Sequence, residues 1–400
     1  MRFSTTPLLV LGALLLPGAA PADVITDWNV TALGLTLSSP PQIEMRTLAM
    51  THVAMFDAVS AVTRGYQPYM NPMPPAPVGA SAEAAAAAAA HGVLLSVYPQ
   101  QKPALDAALQ ASLAKLPDGE AKSSGSAFGR LVAEQCVAMR SGDGWNGRVA
   151  YTPSTGAGSW QPAPPSMGPF ASVFWAEVKP FFLKSSTEVT APGPLAVDSA
   201  QYAKELDEVR RLGRRDSTER SADQTAAAIF TLLNGGQMWN AAARAAAAAK
   251  GSTMPENARI FAVINMAALD AVIAGWEVKR KVGTWRPVSA IRAAAVNPDP
   301  KWEPLINTPP HPDYVSGHSV SSGAWSRSLQ LLFGNDGVPF SATFGGALTR
   351  HFTSFSQAAT EIENARIWAG IHTRTADEHG TALGRRVGEL AVQRAMKKID

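Results

Sequence analysis

The apolar residues of this chain recur at helical spacing along most of its length. In residues 46–62 one stripe is formed by Leu48, Met55, Phe56, Val59 and Val62. That spacing is the three-to-four-residue period of a helix with one buried face. Alanine-rich helices are predicted at residues 81–98 and 103–116, because alanine is the best helix former. The helical period resumes near Ala200 and continues to the C-terminus, and no run alternates as a strand would. The pattern predicts an all-α fold.

A region without helical periodicity separates the two helical parts. Residues 141–199 are rich in Pro, Gly, Ser and Trp, as in GSWQPAPPSMGPF, and this composition cannot propagate a regular helix. Its aromatic rings gain most by being buried, so we expect a long ordered connection and not a free linker. The chain then divides into N-terminal helices with their connection, 23–199, and a second helical half, 200–400.

The first 22 residues have the pattern of a signal peptide. Arg2 precedes the apolar run PLLVLGALLLPGAA, and small residues end the segment at Ala22. A basic start, a short apolar core and a small-residue cleavage site are typical of secretion. We therefore expect an exported protein, periplasmic or secreted, with a mature chain of residues 23–400. No later apolar run predicts a membrane span, because charged residues interrupt or end the alanine tracts.

Composition adds two limits. Hydrophobic residues make up 46% of the chain and charged residues 17%, which suits a large packed core in one domain or two. The net charge is only +3, so nothing supports a nucleic-acid surface, which requires clustered basic residues. The single cysteine, Cys136, cannot form an internal disulfide and lies in an apolar helical segment, where it is expected to act as a small buried hydrophobe.

The first of three short signatures is KRKVGTWRP at residues 279–287. Lys279 ends a long helical pattern, whereas Arg286 precedes a proline and is biased to extended backbone. The helix should therefore end between them, with Gly283 as the flexible point that lets both side chains turn toward one centre. The alternative is a basic helix end, where cations are favoured by the helix dipole.

The second signature is HPDYVSGHS at residues 311–319, followed by a helical run to Phe333. The free N–H groups at the start of a helix attract anions, and Gly317 allows the main chain to approach closely. The alternative is that Ser316 is an ordinary helix cap. An imidazole such as that of His318, facing a bound anion, can serve as a general acid or base near neutral pH.

The third signature is ARIWAGIH at residues 365–372. Arg366 and His372 are six residues apart, about 600° around an ideal helix, so they converge only if the helix ends or bends near Gly370. The cluster of Asp377, Glu378 and His379 is expected to form a solvated turn or the cap of the last helix.

Together the three signatures resemble those of the vanadium-dependent haloperoxidases, which share their site with the type 2 phosphatidic acid phosphatase superfamily. The resemblance lies in a lysine seven residues before Arg-Pro, then Ser-Gly-His, then an arginine six residues before a histidine. The segments VITDWN, RTLAMTHVAMFDAV, GSWQPAPP and GTWRPVSAI are also similar to exported bacterial relatives. The resemblance covers almost everything after Ala22.

The resemblance implies a fold built around two four-helix bundles and a vanadate cofactor, with phosphate able to occupy the site in its absence. The vanadate oxygens would be bound by Lys279, Arg286, Ser316, Gly317 and Arg366. His372 would bind vanadium through a ring nitrogen, and His318 would be the acid–base residue at an apical oxygen. The implied activity is oxidation of halide by hydrogen peroxide to a hypohalous species, with Lys279 making the peroxide more electrophilic. The implied partners are peroxide, a halide or a small organic substrate, and the protein could form a homo-oligomer.

Two positions bear on the halide. His311 resembles the extra histidine of the bromoperoxidases, whereas Trp276 is similar to the tryptophan of the chloroperoxidases, so the implied halide preference is mixed. The alternative for His311 is a loop histidine between prolines.

Departures from the family patterns bear on the type of enzyme. Val315 stands where a proline usually precedes Ser-Gly-His. Ala365 and Ala376 stand where the phosphatases have serine and aspartate. These departures weaken the hypothesis of a phosphatase more than the hypothesis of a haloperoxidase.

Two other functions stay open at this point. One is an acid phosphatase in which His372 attacks phosphorus and His318 protonates the leaving oxygen. The other is a non-catalytic helical protein that binds an anion, which would have no use for a proton donor at His318.

Overall fold

The computed structural model describes residues 23–233, 235–294 and 297–399. The predicted signal peptide lies outside the described residues. Within them the chain is about 58% helical, which confirms the all-α prediction. The helices are α1 (Val24–Thr36), α2 (Pro41–Thr63), α3 (Ala82–Val97), α4 (Lys102–Leu113), α5 (Glu120–Arg140), α6 (Ala200–Leu212), α7 (Ala222–Phe230), α8 (Gly235–Lys250), α9 (Met254–Val282), α10 (Pro287–Arg292), α11 (Gly317–Phe333), α12 (Phe355–Trp368) and α13 (Arg374–Arg394).

The central element is α9, which is buried along almost its whole length. It packs against α1 and α2 among the N-terminal helices and against α8, α11 and α13 among the C-terminal ones, so it contacts both helical groups. By length and composition α9 could cross a membrane, although the sequence was expected to contain no such run after residue 22. Because 94% of its most apolar window is buried inside the protein, its composition is that of a core helix.

Close packing between α11 and α13 depends on small residues. A Cβ atom at Gly384 of α13 would lie 1.9 Å from the carbonyl oxygen of Val320 in α11. The two backbones could not approach this closely with any side chain at that position. This contact brings the start of α13 against the start of α11, the two places where the second and third signatures lie.

The connection at residues 141–199 is ordered, as predicted, and one buried carboxylate of α9 fixes its residues 181–183. Asp270 accepts hydrogen bonds from the backbone N–H groups of Phe181 (2.6 Å), Phe182 (2.6 Å) and Leu183 (2.9 Å). Trp160 and Trp175 of the connection are each only 1% exposed. The connection is therefore part of the packed core, and its residue Ala171 reaches the cavity described below.

The prediction that strands are absent was wrong for one short hairpin. Strands β1 (Phe340–Phe344) and β2 (Leu348–Phe352) pair antiparallel, with Phe340 opposite Phe352. These two rings stack at 4.9 Å between centroids, and Phe340 and Ala342 face the core while Ser341 and Thr343 are exposed. Buried and exposed residues do alternate in each strand, but each strand has only five residues, which is too short for the alternation to be recognised in a mostly helical sequence.

Candidate active site

A cavity of about 300 Å³ opens between the start of α2, the connection, α9 and the start of α11. Six residues from the three signatures or their neighbourhood line it: Trp276, His311, Gly317, His318, Arg366 and His372. Lys279, Arg286 and Ser316 are fully buried directly behind this lining. All nine residues that the resemblance assigns to the site therefore meet at one place, although they are up to 96 positions apart along the chain.

The first signature is arranged as predicted. Helix α9 ends at Val282, and Gly283 adopts the left-handed conformation that terminates it (φ 57°). Arg286 is extended (φ −85°, ψ 155°), as its place before a proline requires. Lys279 and Arg286 are both 0% exposed, so they are not the solvated basic helix end that was the alternative.

The Arg286 guanidinium joins all three signatures. Its Nε donates to the carbonyl oxygen of His311 (2.6 Å), and Nη1 donates to the carbonyl oxygen of Ile371 (2.6 Å). Nη1 also lies 3.1 Å from Nε2 of His372, and Nη2 lies 3.0 Å from Nδ1 of His311. An arginine cannot accept a hydrogen bond, so the imidazole nitrogens that face it must accept.

The other ring nitrogen of His372 contacts a carboxylate that the sequence analysis did not single out. His372 Nδ1 lies 2.6 Å from Oδ1 of Asp313, and the second carboxylate oxygen accepts from the Thr373 hydroxyl at 2.9 Å. Because Nε2 accepts from Arg286, Nδ1 carries the proton and donates it to Asp313. The unshared electron pair of His372 is therefore on Nε2.

Lys279 is held by backbone oxygens of the second signature. Its Nζ donates to the carbonyl oxygens of Pro312 (2.6 Å) and Asp313 (3.0 Å). Burial lowers the pKa of Lys279 well below its usual range, and the neighbouring Arg286 lowers it further. The two carbonyl oxygens use two of the three ammonium hydrogens, and no acceptor among the described residues takes the third.

Ser316 precedes α11 without acting as a conventional cap. Its side chain makes no capping hydrogen bond, which removes the alternative proposed for it. Its Oγ lies 3.2 Å from that of Ser319, which in turn donates to Asp377 at 2.7 Å. At Gly317 a Cβ atom would be 3.1 Å from the Trp276 ring. The helix start is therefore held tightly against the cavity wall, with its first N–H groups unpaired within the helix.

His318 and Arg366 share a partner, Thr231. Nε2 of His318 lies 3.1 Å from the Thr231 carbonyl oxygen, so this nitrogen carries a proton and donates it. Nη1 of Arg366 donates to the Thr231 hydroxyl. The Nε of Arg366 is buried and has no hydrogen-bond partner among the described residues. A buried donor without a partner is costly, and here it belongs to a residue that lines the cavity.

The break predicted in the third signature is present. Helix α12 ends at Trp368, and Gly370 has a φ of +80°, which favours glycine. A Cβ at Gly370 would lie 2.4 Å from the Gly213 carbonyl oxygen. This turn brings His372, 1% exposed, to the same cavity as Arg366, 2% exposed.

The two residues considered for halide preference lie side by side. The rings of Trp276 and His311 are 5.2 Å apart between centroids, and both line the cavity. Burial lowers the pKa of His311 well below its ordinary value, and Lys279 lowers it further. His311 is therefore a neutral ring of the site and not a free loop histidine.

The electrostatic balance of the site includes two carboxylates. Asp377 was expected in a solvated turn or cap, but it is 0% exposed in the first turn of α13, so that expectation was wrong. Burial raises the pKa of Asp377 well above its usual range and that of Asp313 to about 6. Asp313 is ionised above about pH 6 and then offsets part of the repulsion among the buried cations.

The imidazoles of the site are neutral in this arrangement. Burial lowers the pKa of His318 and of His372 well below the ordinary value. Arg366 lowers the pKa of His318 further, and Arg286 does the same for His372. A bound oxyanion would act in the opposite direction, because negative charge favours the protonated ring.

Comparisons with known proteins agree on one family. A family model described as the second helical-bundle domain of VCPO matches residues 259–400. The vanadium chloroperoxidase of Curvularia inaequalis is 26% identical, over 78% of this chain and 66% of that protein. The match therefore spans slightly less than two thirds of that relative's length.

Solved structures extend the agreement to nearly the whole chain. A bacterial vanadium-dependent iodoperoxidase has a TM-score of 0.79 and 27% identity, covering 94% of this chain and 96% of that one. A holo-type bacterial vanadium-dependent chloroperoxidase has the same fold, with a TM-score of 0.74, 18% identity, and coverage of 94% and 96%. In sequence and in fold the chain is therefore similar to vanadium-dependent haloperoxidases, and its residues 259–400 match the helical-bundle model of that family.

Proposed function

We propose that this protein is a vanadate-dependent haloperoxidase, which oxidises a halide with hydrogen peroxide to a hypohalous species. The observation that carries the proposal is the meeting of three buried cations at one cavity, where the buried Nε–H of Arg366 has no partner among the described residues. Relatives named as vanadium chloroperoxidase and iodoperoxidase support the same activity.

The residues present fit a vanadate ion. Arginine offers a planar set of donors to oxyanions, and lysine offers a compact charge. We assign the oxygens of the anion to Lys279, Arg286, Arg366, Ser316 and the N–H of Gly317. We assign the vanadium to Nε2 of His372, since this nitrogen has the unshared pair while Nδ1 donates to Asp313. A ligand histidine commonly donates its other N–H to a carboxylate in this way.

When bound, vanadate supplies a Lewis acid that activates hydrogen peroxide for attack by halide in a two-electron oxidation. The protein contributes position and charge. Arg286, Arg366 and Lys279 are buried and held at the cavity by other groups, so their charges are in place before the anion binds, and Arg286 has only to release Nε2 of His372. The third hydrogen of Lys279 can then be donated to a bound oxygen and withdraw electron density from it.

We assign to His318 the transfer of a proton to and from an oxygen of the bound anion. Its Nε2–H is bound to the Thr231 carbonyl, so Nδ1 is the nitrogen able to take up a proton. Without an anion the ring is neutral, as derived above, and a bound oxyanion raises its pKa toward the working range. A ring that changes protonation as the anion binds is suited to general acid–base catalysis at the neighbouring oxygen.

The test is halide oxidation before and after loading with vanadate. The purified protein is incubated with vanadate and dialysed, its vanadium content is measured by elemental analysis, and triiodide formation from iodide and peroxide is followed. We expect turnover only in the loaded protein. His372→Ala should abolish it, whereas His351→Ala, a change at an exposed histidine of the hairpin, should not. Rapid hydrolysis of an aryl phosphate without halide oxidation would instead identify a phosphatase.

We also propose export to the periplasm or the medium. Support comes from the signal-peptide pattern of residues 1–22. Fractionation of producing cells, followed by mass spectrometry of the mature N-terminus, tests this, and a full-length chain in the cytoplasm would contradict it.

A further inference from the structure

One methionine forms part of the wall of the cavity in which the proposed reaction would produce hypohalous acid. Met45 of α2 lines this cavity, and among the described residues that do so it is the only one with a sulfur atom. Met45 is only 5% exposed, so its thioether is reached mainly from inside the cavity. A product formed there therefore meets this sulfur before it meets the surface of the protein.

The start of α2 places Met45 between the anion site and the solvent. Pro40 and Pro41 are exposed where they line the cavity, and they mark its opening. Gln42 (8% exposed) and Met45 lie deeper along the same wall. At the other end His372 is only 1% exposed. A product released beside His372 therefore passes Met45 on its way out.

The thioether is the group of this wall that hypohalous acid oxidises most readily. Its sulfur is soft and polarisable, which makes it a better nucleophile toward an electrophilic halogen than the indole and imidazole rings that also line the cavity. Methionine is converted to its sulfoxide by mild oxidants, and the product is a polar side chain in place of an apolar one.

We propose that Met45 is a modification site, which the protein's own hypohalous product oxidises to methionine sulfoxide inside the cavity, so that halide oxidation becomes self-limiting. This inference rests on the proposed haloperoxidase function. The sulfur forms a bond to the halogen as hydroxide leaves, and water then forms a sulfur–oxygen bond as halide leaves. The sulfur loses two electrons and the halogen gains two. The net products are the sulfoxide, a halide ion and one proton.

The sulfoxide opposes the entry of further halide. Its oxygen carries partial negative charge and lies on the path between the opening and the anion site, so it disfavours an anion that has to pass it. Gln42 lies three residues before Met45 on α2 and lines the same cavity. Its amide N–H can donate to the sulfoxide oxygen and hold it in the cavity. We therefore expect oxidation to raise KM for halide and to change kcat little.

The oxidised residue is identified in the wild-type protein by peptide mass spectrometry. The vanadate-loaded protein turns over bromide, or iodide if bromide is not oxidised, in the presence of serum albumin, which consumes hypohalous acid that has left the cavity. We expect Met45 sulfoxide to increase with the number of turnovers while Met167, which is 62% exposed, stays reduced. Reagent hypohalite without albumin should oxidise Met167 first. The ratio of the two sulfoxides should then differ by roughly tenfold or more between the two treatments.

The effect on halide entry is tested with a variant that has no sulfur at this position. Met45→Leu keeps an apolar side chain of similar volume. Met50→Leu is the matched control, since Met50 also lies on α2, is 2% exposed and does not line the cavity. After equal numbers of turnovers KM for halide should rise roughly 3–10-fold in the wild type and in Met50→Leu. It should not change in Met45→Leu. If Met45→Leu does not fold, KM of the wild type is measured at increasing fractions of oxidised Met45.

Two results would overturn the proposal. One is a ratio of Met45 to Met167 sulfoxide no higher after turnover than after treatment with the reagent. The other is a halide KM that is unaffected by oxidation of Met45, or that rises as much in Met45→Leu as in Met50→Leu. Failure of the haloperoxidase function is distinguishable, because then no triiodide is formed from iodide, whereas failure of this inference leaves triiodide formation intact.

Discussion

The contact between Asp313 and His372 permits the sharpest test of the site. The proposed substitution is Asp313→Asn, which keeps the size of the side chain and removes one acceptor oxygen and the charge. The carboxylate now accepts from three donors, namely Nδ1–H of His372 and the hydroxyl and backbone N–H groups of Thr373. An asparagine has one acceptor oxygen. If it turns this oxygen to Thr373, its amide N–H faces His372 and favours a proton on Nε2 instead of Nδ1.

Two effects of opposite sign follow from this change. Loss of the carboxylate partner of a ligand histidine typically costs 10–100-fold in metal affinity, or about 1.4–2.8 kcal/mol. Removing a negative charge near the anion site favours any anion, by on the order of 2 kcal/mol at an effective dielectric constant of about 20. Phosphate binding is strengthened by the removal of the charge and is otherwise unaffected, because phosphate forms no bond to the imidazole. Vanadate binding is strengthened in the same way but is also weakened by the loss of the carboxylate partner of His372.

The quantity to measure is therefore the ratio of vanadate affinity to phosphate affinity. Isothermal titration with each anion at pH 8 keeps Asp313 ionised, since its pKa is about 6. We expect phosphate to bind more tightly to Asp313→Asn and the ratio to fall roughly 10–100-fold. Asp377→Asn is the control, because Asp377 contacts Ser319 and not His372, and its ratio should equal that of the wild type. An unchanged ratio in Asp313→Asn would refute the assigned tautomer of His372.

Three further substitutions test the proton donor, the connection and a buried acid. His318→Ala should lower turnover by roughly 10²–10⁴-fold with little effect on vanadate affinity. The turnover rate and the vanadate affinity are measured on one preparation by kinetics and equilibrium dialysis, and equal losses of both would indicate that His318 only binds the anion. Asp270→Asn leaves some of the N–H groups of residues 181–183 unpaired, so it should lower the free energy of unfolding, measured by urea denaturation, by about 2–4 kcal/mol. The control Asp118→Asn, at an exposed carboxylate, should have almost no effect on it. Burial raises the pKa of Glu44 from 4.5 to about 8, so the folded protein retains a proton that the unfolded chain releases. The wild type should then lose stability relative to Glu44→Gln as pH rises from 4.5 to 8, by at most about 1.4 kcal/mol per pH unit; a difference that does not vary with pH would contradict the raised pKa.

The features that could be predicted from the sequence are those set by short stretches of chain. The end of α9 between Lys279 and Arg286 follows from a glycine and a proline, and the start of α11 follows from Ser316 and the apolar period after it. The turn at Gly370 was required by the six-residue spacing in the third signature. Each of these depends on backbone preferences of the residues themselves, so one sequence was sufficient.

The features that could not be predicted depend on which distant segments become neighbours. Asp313 lies two residues after His311 within a signature, yet nothing local shows that its carboxylate meets His372, 59 positions further on. Thr231 carries no recognisable motif and joins His318 to Arg366 only because α7 ends beside them. Asp377 has the composition of a surface position and becomes buried only because α13 packs on α11.

The same distinction explains why the charge of the site was predicted only in part. Three cations and two imidazoles could be assigned from their motifs, but buried cations need compensation from elsewhere in the fold. Asp313 supplies some of it and at the same time fixes the proton of His372 on Nδ1. One carboxylate therefore limits the repulsion when no anion is bound and leaves Nε2 available when one is. A site built this way can remain folded while empty, which a cluster of cations alone could not do.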